Sequence, residues 1–412
     1  MPFTLRPLVR AALLAGLFPP PFSGFAQTAP VAATTSAPVA PFAPKAAASA
    51  TLKDAFKGVF YIGVAMNRNQ FSGTDAKGAA LIAREFNSIS PENVLKWEVV
   101  EPRNGEFSFE QGDQFVEFGL QNKMFIIGHN LCWHSQLPAW VSQPDPGQDT
   151  LTKEVLTERL RKHVLTVAAH YKGKINGWDV VNEAINDNGT YRETVFYKII
   201  GKEYLPLAFK WAHEAAPDAE LYYNEYNLDV SDAKRATTIE LVKYLREQGA
   251  PIHGIGMQGH YNLNGPSTAK IDETVGMLAA LGLKVMITEL DVRATSNAPI
   301  TGAVPSPADG AAAGARRRGP GGPPPPGGAP VGPPPPPLTD EQQQALSKRY
   351  AEIFSVFVKH RDAITRVTFW GLRDADSWRR TTSPLIFDDN YQRKPAYDGV
   401  MSALSSAATT KP

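Results

Sequence analysis

The stretch INGWDVVNEAINDNG, residues 175–189, begins as a buried strand and then turns polar. Its apolar and β-branched bulk comes from Ile175, Trp178, Val180 and Val181. Asn182 and Glu183 follow directly, and a carboxylate at the end of an apolar run is costly to bury unless another group holds it. The fold therefore has to bring Glu183 a partner from elsewhere in the chain.

Seven other short apolar runs alternate with helical patterns from about residue 55 onwards. The candidate strands, with 175–183, are FYIGVAM (60–66), FNSIS (86–90), MFIIGHNL (124–131), ELYYNEY (220–226), IHGIGMQGH (252–260), KVMITELDV (284–292) and ITRVTFWG (364–371). Helix candidates include residues 153–171 and 347–360. Eight strand–helix repeats predict an α/β fold, a (β/α)8 TIM barrel, with a single catalytic domain at residues 51–409. A doubly wound open sheet is the alternative, but we find no glycine-rich dinucleotide or phosphate loop that would favour it.

One segment, residues 301–338, interrupts the alternation and holds 13 Pro and 9 Gly. Such a composition neither forms helix or sheet nor buries a core. Thr339 and Gln342 then fit a capping box, so the insert lies between the seventh strand and its helix. We expect a tolerated disordered loop, and the alternative is a binding role for the arginines at 316–318.

The first 50 residues have the composition of export and linker segments. Two arginines precede the short apolar core AALLAGLF (11–18), and small residues surround a potential cleavage site after Ala26. We therefore expect a signal peptide at residues 1–26 and a flexible leader, rich in Ala, Pro, Ser and Thr, at residues 27–50. The mature protein would then be secreted or periplasmic.

Function in such a barrel gathers at the carboxyl ends of the strands, and six of these ends are polar here. They are ENVLKW (92–97), HNLCWH (129–134), Asn182-Glu183, QGH (258–260), ELD (289–291) and Trp370. Since stability gains nothing from buried polar groups, six such ends in one chain indicate a functional site.

Glu289, at the end of the seventh strand, is the candidate partner of Glu183. The ends of strands four and seven face each other across the barrel mouth, and two carboxylates across a cleft are what glycosidic bond cleavage requires. One donates a proton to the leaving oxygen, and the other attacks the sugar or activates water. The charge of Glu289 is expected to raise the pKa of Glu183, which suits a proton donor. An ion-paired structural carboxylate is the alternative for either residue alone.

Side chains two residues apart on a strand share a face, which groups Gln258 with His260 and Glu289 with Asp291. His260 is expected to hydrogen-bond Glu289 while Asp291 orients the imidazole, which keeps Glu289 ionised. Asn182 can reach the cleft beside Glu183 only where the strand ends or bulges, and there we expect it to contact a sugar 2-hydroxyl.

Four tryptophans lie at or just past strand ends, namely Trp97, Trp133, Trp370 and Trp378. Stacking on sugar faces is expected for the last three, whereas core packing is equally compatible with Trp97. We expect no catalytic metal, because HNLCWH lacks close histidine spacing and Cys132 is the only cysteine. A net charge of +1 gives no reason to expect nucleic acid or a membrane surface as a partner.

At these residues the chain closely resembles glycoside hydrolase family 10, the retaining endo-1,4-β-xylanases. The matching motifs, in family order, are PENVLKWE (91–98), GHNLCWHSQLPAWV (128–141), WDVVNEA (178–184), YNEYN (223–227), GMQGHY (256–261), ITELDV (287–292), FWGLRDADSWR (369–379) and FDDNYQRKPAY (387–397). The resemblance implies retaining hydrolysis of internal β-1,4-xylosidic bonds in xylan and xylo-oligosaccharides by a monomer without cofactors.

Carried over by position, Glu183 resembles the family's acid/base and Glu289 its nucleophile. The positions that match residues around the cleaved sugar are His129, Trp133, Asn182, Gln258, His260 and Trp370. Those that match residues gripping the next sugar on the non-reducing side are Glu92, Asn93, Lys96 and Gln136. Trp378 matches an aromatic lid over the site, and Tyr226 matches a residue on the leaving-group side.

Two departures from the family pattern are the long insert and the pair Ile127 and Asn130, which stand where an arginine and a threonine are common. Neither departure falls on the catalytic pair. A related β-1,4-glucan or mixed-linkage glucan hydrolase stays an alternative. It would keep the same two carboxylates and differ only in having room for the hydroxymethyl group that xylose lacks. A binding protein that has lost catalysis is a second alternative, but it would be expected to have lost a carboxylate.

Overall fold

The computed structural model describes residues 50–295 and 337–408. The predicted signal peptide, the predicted leader up to residue 49 and residues 301–336 of the insert lie outside this range. Within it, no helix combines the length and the apolar character that crossing a bilayer requires.

Nine parallel strands form the centre of the fold. They are β1 (Tyr61–Met66), β2 (Ser88–Pro91), β3 (Phe125–Cys132), β4 (Gly177–Asn182), β5 (Glu220–Glu225), β6 (Gly254–Met257), β7 (His260–Asn262), β8 (Lys284–Arg293) and β9 (Ile364–Phe369). Eight of them pair in the ring order β1-β2-β3-β4-β5-β6-β8-β9, and β9 pairs back with β1. The predicted TIM barrel is therefore confirmed.

The sixth predicted strand differs from the sequence-based expectation because it is divided into β6 and β7. Gly259 lies between the two pieces with φ of +80°, a conformation that interrupts a strand and favours glycine. After this break, β7 pairs only with β8, in a register that sets His260 beside Asp291.

Helices surround the barrel in the usual alternation. Their bounds are Leu52–Ala55, Arg68–Phe71, Ala76–Glu85, Trp97–Val100, Glu110–Gln121, Lys153–His170, Val195–Ile199, Tyr204–Ala215, Asp232–Glu247, Thr268–Ala279, Asp340–Lys359 and Pro395–Ala408. Short 3-10 turns cover Ala139–Ser142, Asp374–Asp376 and Arg380–Thr382. The predicted capping box is present, since the side chains of Thr339 and Gln342 each accept a hydrogen bond from the other's backbone N–H.

The strands are buried on both faces, as barrel strands must be when helices cover them. On β4, Trp178 is fully buried against the Tyr171 ring on the helical side. A Cβ atom at Gly128 of the neighbouring β3 would lie 2.1 Å from that indole, so only glycine fits there. Asp179, the next residue of β4, points the other way and reaches His129 near the barrel mouth.

The boundary of the insert can be tested by deletion, because Leu338 packs against the hydrophobic core. Replacing residues 301–336 with a short Gly/Ser bridge is expected to shift the melting temperature by only a few degrees. The reason is that loop closure changes by only about 0.6 kcal/mol per doubling of loop length. A deletion that also removes Pro337 and Leu338 is the matched comparison and should melt at a lower temperature. Thermal unfolding checks both, and loss of a cooperative transition in the shorter deletion would contradict the prediction.

Candidate active site

Glu183 sits where β4 ends and the chain turns into the following loop. Its φ is +57°, the left-handed region that costs a non-glycine residue roughly 1–2 kcal/mol. This turn lets two consecutive residues serve the same cleft, because Asn182 still belongs to the strand and Glu183 does not. Backbone strain of this kind is typical of functional positions.

The Glu183 carboxylate is almost fully buried and is held by two side-chain donors. Trp133 Nε1 donates to Oε2 over 3.0 Å, and Gln258 Nε2 donates to Oε1 over 2.9 Å. Both donors are predicted site residues just after other strands, Trp133 after β3 and Gln258 after β6, and the fold brings them to Glu183. The backbone carbonyl of Glu183 accepts a further hydrogen bond from Arg192 Nε over 3.1 Å.

The expectation that Glu183 has a raised pKa is wrong for this structure. Burial raises the pKa, but the charge of His134 and the hydrogen bonds from Gln258 and Trp133 outweigh it and hold the pKa below its ordinary value. The sequence identified the negative neighbour Glu289 but not the donors that stabilise the carboxylate form.

Glu289 is the sixth of the ten residues of β8, inside the strand and not at its end as expected, and it is likewise almost fully buried. His260 Nε2 lies 3.2 Å from its Oε2, and Asn224 Nδ2 donates to its Oε1 over 2.8 Å. The predicted contact with His260 is therefore present. Asn224 was not predicted, because it is a neutral residue inside a strand that showed no chemical signal beyond its place in YNEYN.

Asn224 is the link between the two predicted catalytic strands. The same Nδ2 that donates to Glu289 also donates to Asn182 Oδ1 over 2.9 Å. Thr288 Oγ1 donates to the side-chain oxygen Oδ1 of Asn224 over 2.6 Å, which fixes the orientation of the side-chain amide. Because Asn224 is fully buried, its geometry is set by these three partners and not by solvent.

Asp291 contacts the imidazole nitrogen of His260 that faces away from Glu289, as predicted. His260 Nδ1 lies 3.0 Å from Asp291 Oδ2, which also accepts from Trp378 Nε1 over 2.9 Å. Arg379 Nη1 donates to Asp291 Oδ1 over 2.7 Å, and this arginine was missed by sequence reasoning.

The charges of neighbouring side chains shift the pKa values of His260 and Asp291. Burial lowers the pKa of His260, but the charge and hydrogen bond of Asp291 outweigh it, so the pKa lies above its ordinary value. Burial raises the pKa of Asp291, but the charges of Arg379 and His260 outweigh it, so that pKa is lowered. Asp291 and Glu289 thus both favour the protonated imidazole, and the charge of Arg379 opposes it.

A second polar group lies at the ends of β2 and β3. Lys96 Nζ donates to Asn93 Oδ1 over 3.0 Å and to Gln136 Oε1 over 2.6 Å, and Gln136 Nε2 donates to Asn93 Oδ1 over 3.2 Å. Burial raises the pKa of Glu92, and the charge of Lys96 opposes that rise. The four residues predicted to grip the second sugar are thus brought together, and Lys96 Nζ lies 4.9 Å from the Trp133 ring centre.

The remaining predicted residues line the same mouth. His129 Nδ1 lies 2.9 Å from Asp179 Oδ2, and its ring meets Trp370 edge-on at 5.3 Å. Tyr226 accepts a hydrogen bond from Arg192 Nη2 over 2.8 Å. Trp378 packs edge-on against His260 at 5.2 Å.

Trp97 belongs to the core and not to the site. Its ring stacks on His163 at 3.7 Å between ring centres and is only 3% exposed. His163 is in turn bound to the buried Glu101 over 2.9 Å. Of the two interpretations left open for Trp97, the structure favours packing.

Comparison with known proteins identifies close relatives. The model of the family described as Glycosyl hydrolase family 10 matches residues 51–403. Endo-1,4-beta-xylanase A of Xylanibacter ruminicola is 38% identical over 362 residues, which cover 86% of this chain and 94% of that protein. A solved endoxylanase of the same family, retrieved from a sugarcane soil metagenome, superposes with a TM-score of 0.73 at 39% identity and covers 86% of this chain and 99% of that one. Xylanase 10B from Thermotoga petrophila in complex with xylobiose superposes with a TM-score of 0.72 at 33% identity and covers 87% and 98%.

Asp291→Asn tests the charge relation between Asp291 and His260. The raised pKa of His260 stabilises the fold below the ordinary value of 6.5, and this contribution is lost as pH rises through the folded value. The lowered pKa of Asp291 stabilises the fold above the ordinary value of 3.8, and this contribution is lost as pH falls through the folded value. The melting-temperature difference between the protein and the variant should therefore be largest between pH 3.8 and 6.5 and shrink at alkaline pH.

The matched control is Asp272→Asn, which removes the carboxylate partner of the partly exposed His360. Solvent screens that pair, so its melting-temperature difference should be smaller throughout. A difference for Asp291→Asn that grows towards alkaline pH would contradict the assignment.

Proposed function

The chain belongs to glycosyl hydrolase family 10, and we propose that it cleaves internal β-1,4-xylosidic bonds by double displacement, with Glu289 as nucleophile and Glu183 as acid/base. It is an endo-1,4-β-xylanase, a glycosidase whose substrates are xylan and xylo-oligosaccharides. The observation that carries the division of roles is the difference in what holds each carboxylate. Glu289 Oε2 lies 3.2 Å from the His260 imidazole and its Oε1 accepts from the Asn224 amide, whereas Glu183 accepts from an indole and an amide.

In the first step Glu289 attacks the anomeric carbon while the bond to the leaving oxygen breaks and Glu183 gives that oxygen its proton. His260 Nε2 and Asn224 Nδ2 contact the two carboxylate oxygens of Glu289 and hold them in position for the attack. The product of this step is an ester between the sugar and Glu289, and the leaving sugar departs with the proton.

The proton on Glu183 has to be acquired as substrate binds, because the free site favours the carboxylate. A sugar in the cleft excludes water from the carboxyl group, and this desolvation favours the protonated form. Glu183 has given up that proton by the time Glu289 is esterified, so it is then a carboxylate. In the second step Glu183 takes a proton from water as the water oxygen bonds to the anomeric carbon, and the bond from that carbon to Glu289 breaks to release the Glu289 carboxylate. The donors Trp133 and Gln258 favour the carboxylate form of Glu183 that this step needs.

We propose that the polar group at the ends of β2 and β3 binds the sugar on the non-reducing side. Lys96, Asn93 and Gln136 already form one hydrogen-bonded network, so sugar hydroxyls would meet donors and acceptors of fixed orientation. Asn182 would contact the 2-hydroxyl of the cleaved sugar, and Trp370 and Trp378 would stack on sugar faces. Tyr226 would line the leaving-group side.

We also propose that the protein is exported to the periplasm or the medium and acts as a monomer. The support for export is the N-terminal sequence, with its short apolar core and small residues before Gln27. The N-terminal residue of the exported protein and its sedimentation behaviour would decide these two points.

Cleavage is expected to retain the β-configuration, because attack by Glu289 and then by water inverts the anomeric carbon twice. Proton NMR spectra recorded in the first minutes of xylo-oligosaccharide hydrolysis should show the β-anomer of the product. Initial formation of the α-anomer would mean that water, and not Glu289, attacks first.

Glu183→Ala and Glu289→Ala should fail in different ways. With Glu183→Ala, hydrolysis of a natural xylo-oligosaccharide should slow by roughly 10²–10⁴-fold, the usual contribution of general acid catalysis. An aryl glycoside with a good leaving group needs no proton, so its first step should be nearly spared and the covalent intermediate should accumulate. Added azide should then speed turnover and yield a β-glycosyl azide.

Glu289→Ala should abolish turnover of both substrates, because no ester can form. Any rescue of this variant by azide should give the α-glycosyl azide. If the two variants behave the other way round, the roles given to Glu183 and Glu289 are exchanged.

A further inference from the structure

A fully buried lysine, Lys234, packs against Tyr226, the residue proposed to line the leaving-group side of the site. It belongs to the helix Asp232–Glu247, and its Nζ lies 2.9 Å from Glu225 Oε1 and 3.0 Å from Asp187 Oδ1. The same atom lies 3.2 Å from the centre of the Tyr226 ring. A buried ammonium group requires partners of this kind, and here all three partners lie on the loop after β4 or at the end of β5.

Glu225, the first of these partners, binds the backbone of the loop after β4 and of the chain that follows β5. Its Oε2 accepts from the backbone N–H of Ile185 over 3.2 Å, two residues after Glu183. Its Oε1 accepts from the backbone N–H of Tyr226 over 3.1 Å. The Glu225 carboxylate thus sets the position of Tyr226 relative to the turn that carries Glu183.

Asp187, the second partner, anchors the far end of that turn. Its Oδ2 accepts from Asn227 Nδ2 over 3.2 Å, and its backbone carbonyl accepts from Ser231 Oγ over 2.5 Å. Lys234 bridges Asp187 to Glu225, so its one charge ties the loop after β4 to the end of β5.

We propose that Lys234 is a positioning residue for departure of the leaving group, acting through Glu225 and Asp187 on the turn of Glu183 and through direct contact on the ring of Tyr226. The inference rests on the proposed roles of Glu183 and Tyr226. Its consequence is selective: removal of Lys234 should impair substrates whose leaving group needs a proton and a defined sugar position. Substrates that need neither should be affected much less.

A second buried lysine provides a matched control. Lys394 Nζ is bound to Asp374 Oδ2 over 2.7 Å and to the backbone carbonyl of Ser383 over 2.8 Å, and the residue is 4% exposed. These partners belong to the segment around Trp378, on the side proposed for the cleaved sugar and not for the leaving group. Loss of Lys394 should therefore affect every substrate that occupies the cleaved-sugar position to the same degree.

The experiment compares Lys234→Met with Lys394→Met on two substrates, xylotetraose and a dinitrophenyl xylobioside. The value of kcat/KM reports the first chemical step for both. For Lys234→Met it should fall by about 10–10²-fold on xylotetraose, the usual effect of a misplacement of about 1 Å, and much less on the activated aryl substrate. Lys394→Met should lower both values by one common factor, and Lys234→Arg should recover part of the xylotetraose activity.

Lys234→Met leaves Glu225 buried without its cation, so the variant is expected to melt at a lower temperature. The double variant Lys234→Met/Glu225→Gln removes both charges and should recover thermal stability while the difference between the two substrates persists. Lys234→Met or the double variant could instead lose activity by the same factor on both substrates, which is the result expected for Lys394→Met. Lys234 would then have only a structural role, and the inference would be wrong.

Glu183→Ala, measured alongside, separates this inference from the proposed function. If Glu183→Ala spares the aryl substrate and Lys234→Met does not, only the inference about Lys234 fails. If Glu183→Ala affects both substrates equally, the proposed acid/base role itself fails, whatever Lys234→Met does.

Discussion

The site depends on a buried column of four side chains in contact, Arg379, Asp291, His260 and Glu289. Arg379 pairs with Asp291, and His260 lies between the carboxylates of Asp291 and Glu289. Each buried carboxylate therefore has a partner, which is the condition under which buried ions are tolerated. The column crosses β7, β8 and the segment after β9, so it can form only when the barrel is closed in the right register. The pairing of His260 with Asp291 across β7 and β8 supplies that register.

The two carboxylates differ because the second one stands outside this column. Glu289 is contacted by the His260 imidazole and the Asn224 amide, which fix the position of its two oxygens. Glu183 accepts from the neutral donors Trp133 and Gln258, and the charge of His134 also lowers its pKa. A residue that is acid in one step and base in the next must also take up a proton, so substrate binding has to overcome this preference for the carboxylate.

The sequence predicted what depends on periodicity and chain order. Eight apolar runs indicated the barrel. Gln258 and His260 do contact Glu183 and Glu289, but the break at Gly259 means that they do not share one strand face, as their period-two spacing had indicated. The sequence could not reveal the role of Asn224, because nothing in the sequence distinguishes this asparagine from any other neutral residue inside a strand. Only the fold shows that its amide donates to both Asn182 Oδ1 and Glu289 Oε1. The pKa of Glu183 was misjudged for a related reason: it depends on donors and on His134, whose distances only the folded chain sets. The break at Gly259 was missed because Gln258 and His260 were assigned to one continuous strand, although a glycine inside a strand pattern can mark a bulge.

Contacts on either side of the insert explain how a segment of its length can follow the strand that carries Glu289. Beyond Asp291, the backbone N–H of Val292 donates to the carbonyl of Pro384 over 3.2 Å, and that of Ala294 donates to Thr382 over 3.0 Å. These bonds fix the end of β8 before residue 296, and Leu338 and the capped helix fix the chain again on return. The chain is thus fixed to the fold both before the insert, by the bonds of Val292 and Ala294, and after it, by Leu338 and the capped helix. A change in the length of the insert therefore need not move Glu289 or the side chains that contact it.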